Sequence, residues 1–246
     1  MRGVGQIVRF NWPFYAAGAA TLVALELGLT FVPVIGAGRW VLHAITAIAA
    51  MWMVGSLVAS WVIYDRSPLS SWAWICDALA RQPRSWINVH AGFDESTPAL
   101  RRLLAGSKGR VFDIFDPDEM SEPSIVRARR LYRPEVDPER VDFQQLPAAG
   151  KSIDAAFLLL SAHELRTDAA RGTFFAELHR ILSPDGRVIV AEHLRDVANF
   201  AAFGPGFLHF FSRRTWSRCF AQARFVIERE FSITPFIRVF VLRRSV

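Results

Sequence analysis

Two long apolar runs stand back to back at the front of the chain, and they constrain everything behind them. Trp12–Ile35 reads WPFYAAGAATLVALELGLTFVPVI, and Trp40–Tyr64 reads WVLHAITAIAAMWMVGSLVASWVIY. Each exceeds the roughly 20 residues that a helix needs to cross a bilayer. Only Gly36–Arg39 separates them, too little for a domain. The pattern predicts a two-helix transmembrane hairpin over residues 1–66. The lipid bilayer is then the first expected partner of whatever follows.

The first run is too long for a cleavable signal, no small-residue cleavage site follows it, and a second span comes directly after. Arg2 and Arg9 precede the first span, Arg66, Arg81 and Arg84 follow the second, and Arg39 alone sits in the turn. The positive-inside bias predicts an inner (cytoplasmic) membrane protein with both ends in the cytoplasm. Trp12, Trp40, Trp61 and Tyr64 sit where interface anchors sit. Small residues at Ala16–Ala20, Gly55/Ala59 and Ser56/Ser60 allow close helix packing, and with it a homo-oligomer or a membrane-enzyme partner. Glu26 falls near the middle of the first span, a costly place for an ionised carboxyl. An antiparallel hairpin puts it level with Thr46–Met51, which holds no charge partner. It serves either a substrate headgroup or second chain, or it is protonated and bonded within the helix pair. Residues 67–84 carry Trp72, Trp74, Ile75, Leu79 and two Arg, and read as an amphipathic linker helix lying on the membrane.

The 246 residues are 52% hydrophobic, much of it in the hairpin, and carry a net charge of +6. Basic pairs recur at Arg101–Arg102, Arg127/Arg129/Arg130, Arg213–Arg214 and Arg243–Arg244. Anionic headgroups attract such clusters; the plainer alternative is a solvated basic face. No nucleic-acid partner is expected, because the basic residues are scattered and the anchor restricts access. Cys76 and Cys219 are far apart, lack metal spacing and suit a reducing compartment.

From residue 85 the pattern alternates, predicting one domain over 85–246. Strands are expected at Trp86–His90, Arg110–Phe115, Val141–Phe143, Ile153–Leu160 and Arg187–Ala191. The helices between them are expected at Pro98–Leu104, Pro123–Leu131 and Asp168–Leu182, with a turn at Ser183–Gly186. A helix over Thr215–Ala223 precedes an antiparallel pair, Phe225–Ile233 and Phe236–Leu242. Such alternation gives an α/β fold with a parallel sheet between helices, and ligands bind beyond the carboxyl ends of its strands.

The order of elements resembles the class I S-adenosylmethionine-dependent methyltransferases, of the methyltransferase type 11 kind. Their Rossmann-like seven-stranded sheet has an antiparallel last strand. Glu177-Leu178-His179-Arg180-Ile181-Leu182-Ser183-Pro184-Asp185-Gly186 closely resembles the family's E-x-x-R-V-L-K-P-G-G stretch. Asp142-Phe143-x-x-Leu146-Pro147 is similar to its acidic Leu-Pro segment, and Ser161–Leu165 sits where it carries Ala-Leu-His-His-Leu. The glycine-rich D-x-G-x-G-x-G loop is degenerate here. Asn88-Val89-His90-Ala91-Gly92-Phe93-Asp94-Glu95 keeps only Gly92, and Asn88 replaces the acid.

The resemblance implies S-adenosylmethionine as cofactor, held by Asn88, His90, Gly92, Asp94 and Ser161. Asp113 or Asp116 would bind the ribose hydroxyls, with Asp116 nearer the strand end. Asp142 would hold the adenine amino group, with Phe143 against the ring. Candidate acid–base residues are His163 and Glu164 after the fourth strand, Glu192 and His193 after the fifth, and His209. All are expected to converge at the strand ends. These residue types also suit a metal ion, but their spacing assigns none, and no metal is expected. Asn199–Phe211 (NFAAFGPGFLHFF) is either core or a lid over a lipophilic acceptor. The expected function is membrane-anchored methylation of a quinone, isoprenoid, polyketide-like or lipid acceptor. The rival is a catalytically inactive scaffold for another membrane enzyme.

Overall fold

The protein is described from a computed structural model, over residues 2–31, 36–79, 81–120, 122–132, 134 and 137–245. Helix α1 (Arg2–Phe31) leaves helical geometry at Asn11, just ahead of Pro13. The proline ring cannot follow a helical turn without bending it. Asn11 Nδ2 donates to the Ile7 carbonyl at 3.1 Å, within the disturbed turn. Residues 2–10 therefore break away and dock on the α/β domain, where the Arg127 guanidinium binds the Phe10 carbonyl. Helix α2 (Ala37–Trp61) runs back and continues through a π-helical turn, Val62–Arg66. Residues 32–35 of the first apolar run lie outside the described residues. Both helices are long and apolar enough to cross a membrane, by length and composition.

Two contacts correct or complete the hairpin. Glu26 has a side-chain partner: its Oε2 lies 2.7 Å from His43 Nδ1, about one turn nearer the connection than the level expected. Asp65 caps the start of α1, accepting from Gly3 N at 3.0 Å and Val4 N at 2.9 Å. The first turn of α1 is thus fixed to the end of the second apolar helix.

Residues 67–84 do not form the amphipathic helix expected of them. A 3-10 turn, Pro68–Ser71, and the short α3 (Trp74–Ala78) flank Trp72, whose φ of 57° is left-handed. Leu69, Trp74, Ile75 and Ala78 are buried with Trp86, Phe157 and Val239. These apolar residues cover a face of the sheet rather than facing lipid.

That sheet has seven strands in the order β3-β2-β1-β4-β5-β7-β6. They are β1 (Ser85–His90), β2 (Lys108–Asp113), β3 (Glu139–Arg140), β4 (Ile153–Leu159), β5 (Leu182–His193), β6 (Phe225–Thr234) and β7 (Ile237–Arg244). The first five pair parallel, and β7 runs antiparallel between β5 and β6. β3 lies just upstream of the expected Val141–Phe143, which leaves Asp142 and Phe143 beyond the strand. The expected turn at Ser183–Gly186 falls inside β5. There the register shifts between Leu182, opposite Ile153, and Arg187, opposite Ala155.

Alternate residues of the strands face opposite sides. Ile87, Val89, Ala156, Leu158, Val188 and Val190 pack with Phe174, Phe175 and Trp216 of helices α6 (Asp168–Ile181) and α8 (Arg213–Gln222). Trp86, Ala155, Phe157, Ile189 and Val239 pack under α4 (Thr97–Leu103) and residues 63–78. Across the β1–β2 pair Trp86 is opposite Gly109, and its indole fills the space a Cβ would need. Helix α7 (Val197–Phe203) leads into a 3-10 turn, Gly204–His209, and leans on α2. Trp52 Nε1 donates to the Ala201 carbonyl at 2.7 Å, and its indole meets Phe200 edge-on at 5.3 Å.

Candidate active site

The loop after β1 is stitched to itself. Asn88, buried, brings Nδ2 within 3.2 Å of Asp94 Oδ1, 2.9 Å of Ser96 Oγ and 2.8 Å of Thr97 Oγ1. Asp94 Oδ1 also accepts from Ser96 N and Thr97 N at 2.9 and 3.0 Å. A carboxylate is stabilised by the free N–H groups of a helix start. The Gly92 N–H donates to His90 Nδ1 at 3.1 Å, which puts the ring proton on Nε2. Burial pushes the pKa of His90 down, and Nε2 has no partner among the described residues.

Asp113, the last residue of β2, occupies the strand-end position that the resemblance gives to the ribose acid. Its Oδ2 lies 2.6 Å from Arg129 Nη1, and its Oδ1 accepts from Phe115 N at 3.0 Å. Arg129 comes from α5 (Pro123–Leu131), and its guanidinium lies 4.3 Å over the Phe115 ring. It also presses on Gly92, whose φ is +97°; a Cβ there would collide with Nη1. Arg129 therefore covers the ground beside the β1 loop.

Two adjoining cavities open there, of about 520 and 690 Å³. Asn88, His90, Gly92 and Asp94 line them, together with Gln6, Arg9 and Tyr64 from the two ends of the hairpin and Trp72 just beyond it. The remaining expected cofactor residues lie elsewhere. Asp116 holds Asp118 N at 2.9 Å in a turn beyond β2, so it is Asp113, not Asp116, that ends the strand. Asp142 is exposed and accepts from Gln144 N at 2.8 Å. Phe143 is 3% exposed, inside the core. Ser161 ties the end of β4 to β1 through the Val89 carbonyl at 2.7 Å. Arg129 and the N-terminal Gln6 and Arg9 are not among the site residues the sequence suggests; the basic side of Pro123–Leu131 is the available signal, and it fits anionic headgroups or a solvated face equally.

The second half of the site gathers at the ends of β4 and β5. Glu192 is fully buried. Its Oε1 accepts from Ala162 N at 2.9 Å and His163 N at 3.2 Å, and its Oε2 lies 2.6 Å from His163 Nδ1. Glu164 Oε1 is 3.4 Å from His163 Nε2 and 4.0 Å from His209 Nε2. Burial opposes charge on His163, but Glu192 and Glu164 outweigh it and raise its pKa to about 10. Burial, and then the charge on His163, lowers His209 to about 3.

His193 does not join them. Its Nδ1 faces the Phe236 carbonyl at 2.9 Å and Asn199 Oδ1 at 3.0 Å, so it carries the proton. Its Nε2 accepts from the Tyr64 hydroxyl at 2.8 Å, and its ring stacks on Phe210 at 4.8 Å. Burial holds its pKa down at about 4. His193 thus links the hairpin's end to the sheet.

Residues 102–190 match the family model described as a methyltransferase domain. With the sheet order and its antiparallel β7, that match decides the fold. The chain has the fold of the class I methyltransferases. Among solved structures, a SAM-dependent methyltransferase from Aquifex aeolicus is 16% identical, with a TM-score of 0.54 over 74% of this chain and 92% of its own. Geranyl diphosphate C-methyltransferase from Streptomyces coelicolor is 16% identical, TM-score 0.52, over 72% and 79%. Human N-acetylserotonin methyltransferase is 16% identical, TM-score 0.52, over 80% and 55%. At such identities the likeness is one of fold. No curated protein matches the sequence.

Proposed function

We propose that the protein is a membrane-anchored, S-adenosylmethionine-dependent methyltransferase acting on a lipophilic small molecule. The observation that carries this reading is the double construction of the cavities. One wall is the β1 loop of the α/β domain; the other is built from the two ends of the hairpin, Gln6 and Arg9 on one side and Tyr64 on the other, with Trp72 just beyond it. Their volumes, about 520 and 690 Å³, are of the size that holds small ligands.

Bound S-adenosylmethionine would supply an electrophilic sulfonium methyl group. Asn88, His90, Gly92 and Asp94 would line its site, and Asp113 would face its ribose hydroxyls once Arg129 swings aside. Arg129 has a long, partly exposed side chain, so this movement leaves the fold intact. His163, Glu164 and His209 stand on the acceptor side, next to the Phe-rich segment that leans on α2. A quinone, isoprenoid, polyketide-like or lipid acceptor would reach them from the inner membrane, with the domain on the cytoplasmic face.

Calorimetry of S-adenosylmethionine and S-adenosylhomocysteine on the detergent-purified full chain tests the reading. Micromolar binding weakened by Asp94→Ala supports it. No binding at millimolar ligand overturns it. The outcome would then favour a scaffold for another membrane enzyme, a reading that the Arg129–Asp113 pair and the single remaining loop glycine support.

A further inference from the structure

The acceptor-side cluster has the construction of a metal centre. We infer that His163, Glu164 and His209 bind a divalent transition-metal ion, with zinc the best fit to two imidazoles and a carboxylate.

The distances are close to those required. One ligand atom from each residue can be chosen so that all three lie within 4.8 Å of one another. His163 Nε2 and His209 Nε2 stand 3.4 and 4.0 Å from Glu164 Oε1. Ligands about 2.0–2.1 Å from a tetrahedral zinc ion lie roughly 3.4 Å apart. The wider of these two gaps closes with a movement of roughly half an ångström, and the remaining separation, within 4.8 Å, with at most roughly 1.4 Å.

The surroundings are those that metal-bound imidazoles require. A ligating histidine usually gives its other ring N–H to a carboxylate or carbonyl, which fixes the tautomer and aims the free nitrogen. His163 Nδ1 has Glu192 at 2.6 Å, and Glu192 is itself held by two backbone N–H groups. His209 Nδ1 has Glu122 at 3.8 Å. Both histidines thus have a carboxylate behind Nδ1 and Glu164 in front of Nε2. The two turns that carry the ligands are also tied together. Arg166 Nη1 donates to the His163 carbonyl at 2.9 Å and to the His209 carbonyl at 2.7 Å.

An independent observation points to a missing ligand. Glu164 is 5% exposed, and its Oε2 is buried without a partner among the described residues. Burying a carboxylate oxygen unpaired is costly. An ion held by both carboxylate oxygens of Glu164 satisfies it. Three protein ligands leave a fourth position open, on the side where His209 is partly exposed. A phenol or enol oxygen of an acceptor fits there, since a bound cation favours the deprotonated oxygen. That role rests on the methyltransferase reading; the binding of the ion does not.

The test uses the full chain, purified in detergent with any affinity tag removed, stripped with chelator and titrated with Zn²⁺ and Co²⁺. We expect about one equivalent of zinc by elemental analysis. Cobalt should give visible absorption bands of a low-coordinate site. Glu164→Gln and His209→Gln should each weaken binding by at least about tenfold. Glu192→Gln, which loosens only the ring of His163, should weaken it by about ten- to a hundredfold. His179→Gln, remote from the cluster, should leave it unchanged. Thermal unfolding separates lost ligands from lost fold. Equal uptake by wild type and a folded E164Q/H209Q double variant would overturn the inference, as would no uptake by wild type. S-adenosylhomocysteine binding, measured alongside, reports on the methyltransferase reading separately.

Discussion

Arg129 Nη1 lies 2.6 Å from Asp113 Oδ2, at the end of β2 and directly against Gly92. The carboxylate at the strand end where the resemblance would put the cofactor's ribose is paired with a cation from α5. The guanidinium also rests on Phe115, so two interactions hold it over the loop. A ligand at this strand end must displace Arg129 or recruit it.

Displacement predicts that Arg129→Ala tightens S-adenosylhomocysteine binding by about tenfold, or ~1.4 kcal/mol. Asp113→Ala should weaken it and also lower the melting temperature, because it strips a half-buried arginine of its partner. Calorimetry of the two variants decides this. Weaker binding in Arg129→Ala would mean that the guanidinium contacts the ligand itself.

The Tyr64–His193 bond gives the domain a pH-dependent hold on the apolar hairpin. Burial keeps His193 near a pKa of about 4, against about 6.5 when unfolded. The unfolded chain therefore binds the proton more readily. Stability is fully present above pH ~6.5 and falls as pH drops toward ~4, by up to about 3 kcal/mol. Unfolding followed across that range should show the loss, and His193→Asn should flatten it. Tyr64→Phe should cost about 1–2 kcal/mol at neutral pH by leaving Nε2 unpartnered.

What the sequence made legible was what local pattern encodes. The near-continuous apolar run of Ile153–Leu160 matches a strand buried on both faces. Phe174, Phe175, Leu178 and Ile181 repeat at helical spacing and face the core. Residues 67–84 differ from the pattern's expectation because an apolar stripe looks the same whether lipid or a sheet covers it. Arg129 was unreadable for a related reason: nothing local distinguishes an arginine facing headgroups from one paired with Asp113 across space. The site was half legible. Strand ends placed Asn88, His90, Asp94 and His163, but the meeting of His163 with His209 depends on two turns stapled by Arg166.

Gly109 sets the spacing of β1 and β2 on the face that Trp86 covers. Trp86 is 2% exposed, and its indole lies where a Cβ on Gly109 would stand. Gly109→Ala should destabilise the domain by about 1–3 kcal/mol, as overpacking of a filled core does. Chemical denaturation measures it. Pairing the change with Trp86→Phe should recover part of the loss, since the smaller ring vacates the contact.

The Glu26–His43 contact, at 2.7 Å, is an interhelical bond inside the hairpin. Glu26→Gln and His43→Ala should each destabilise it by about 1 kcal/mol, the scale of such bonds in lipid. The double variant should cost no more than either single change. Additive losses in a double-mutant cycle would show that the two residues act apart.

The position of α7 makes the last prediction. Trp52 precedes the end of α2 at Trp61 by nine residues, about 14 Å of helix. Its bond to the Ala201 carbonyl fixes α7 beside α2 at that height. If α2 spans the bilayer, α7 stands at a depth within the half-thickness of the hydrocarbon core, which is about 15 Å. Its exposed apolar side chains support this: Val197 is 83% exposed, and Leu208 on the following turn is 56% exposed. Both would face acyl chains rather than water. A fluorophore on Val197→Cys should be quenched by brominated acyl chains, and Leu208→Asp should reduce that quenching. A probe quenched only by soluble iodide would place α7 in water and remove the route by which a lipophilic acceptor would reach His163 and His209.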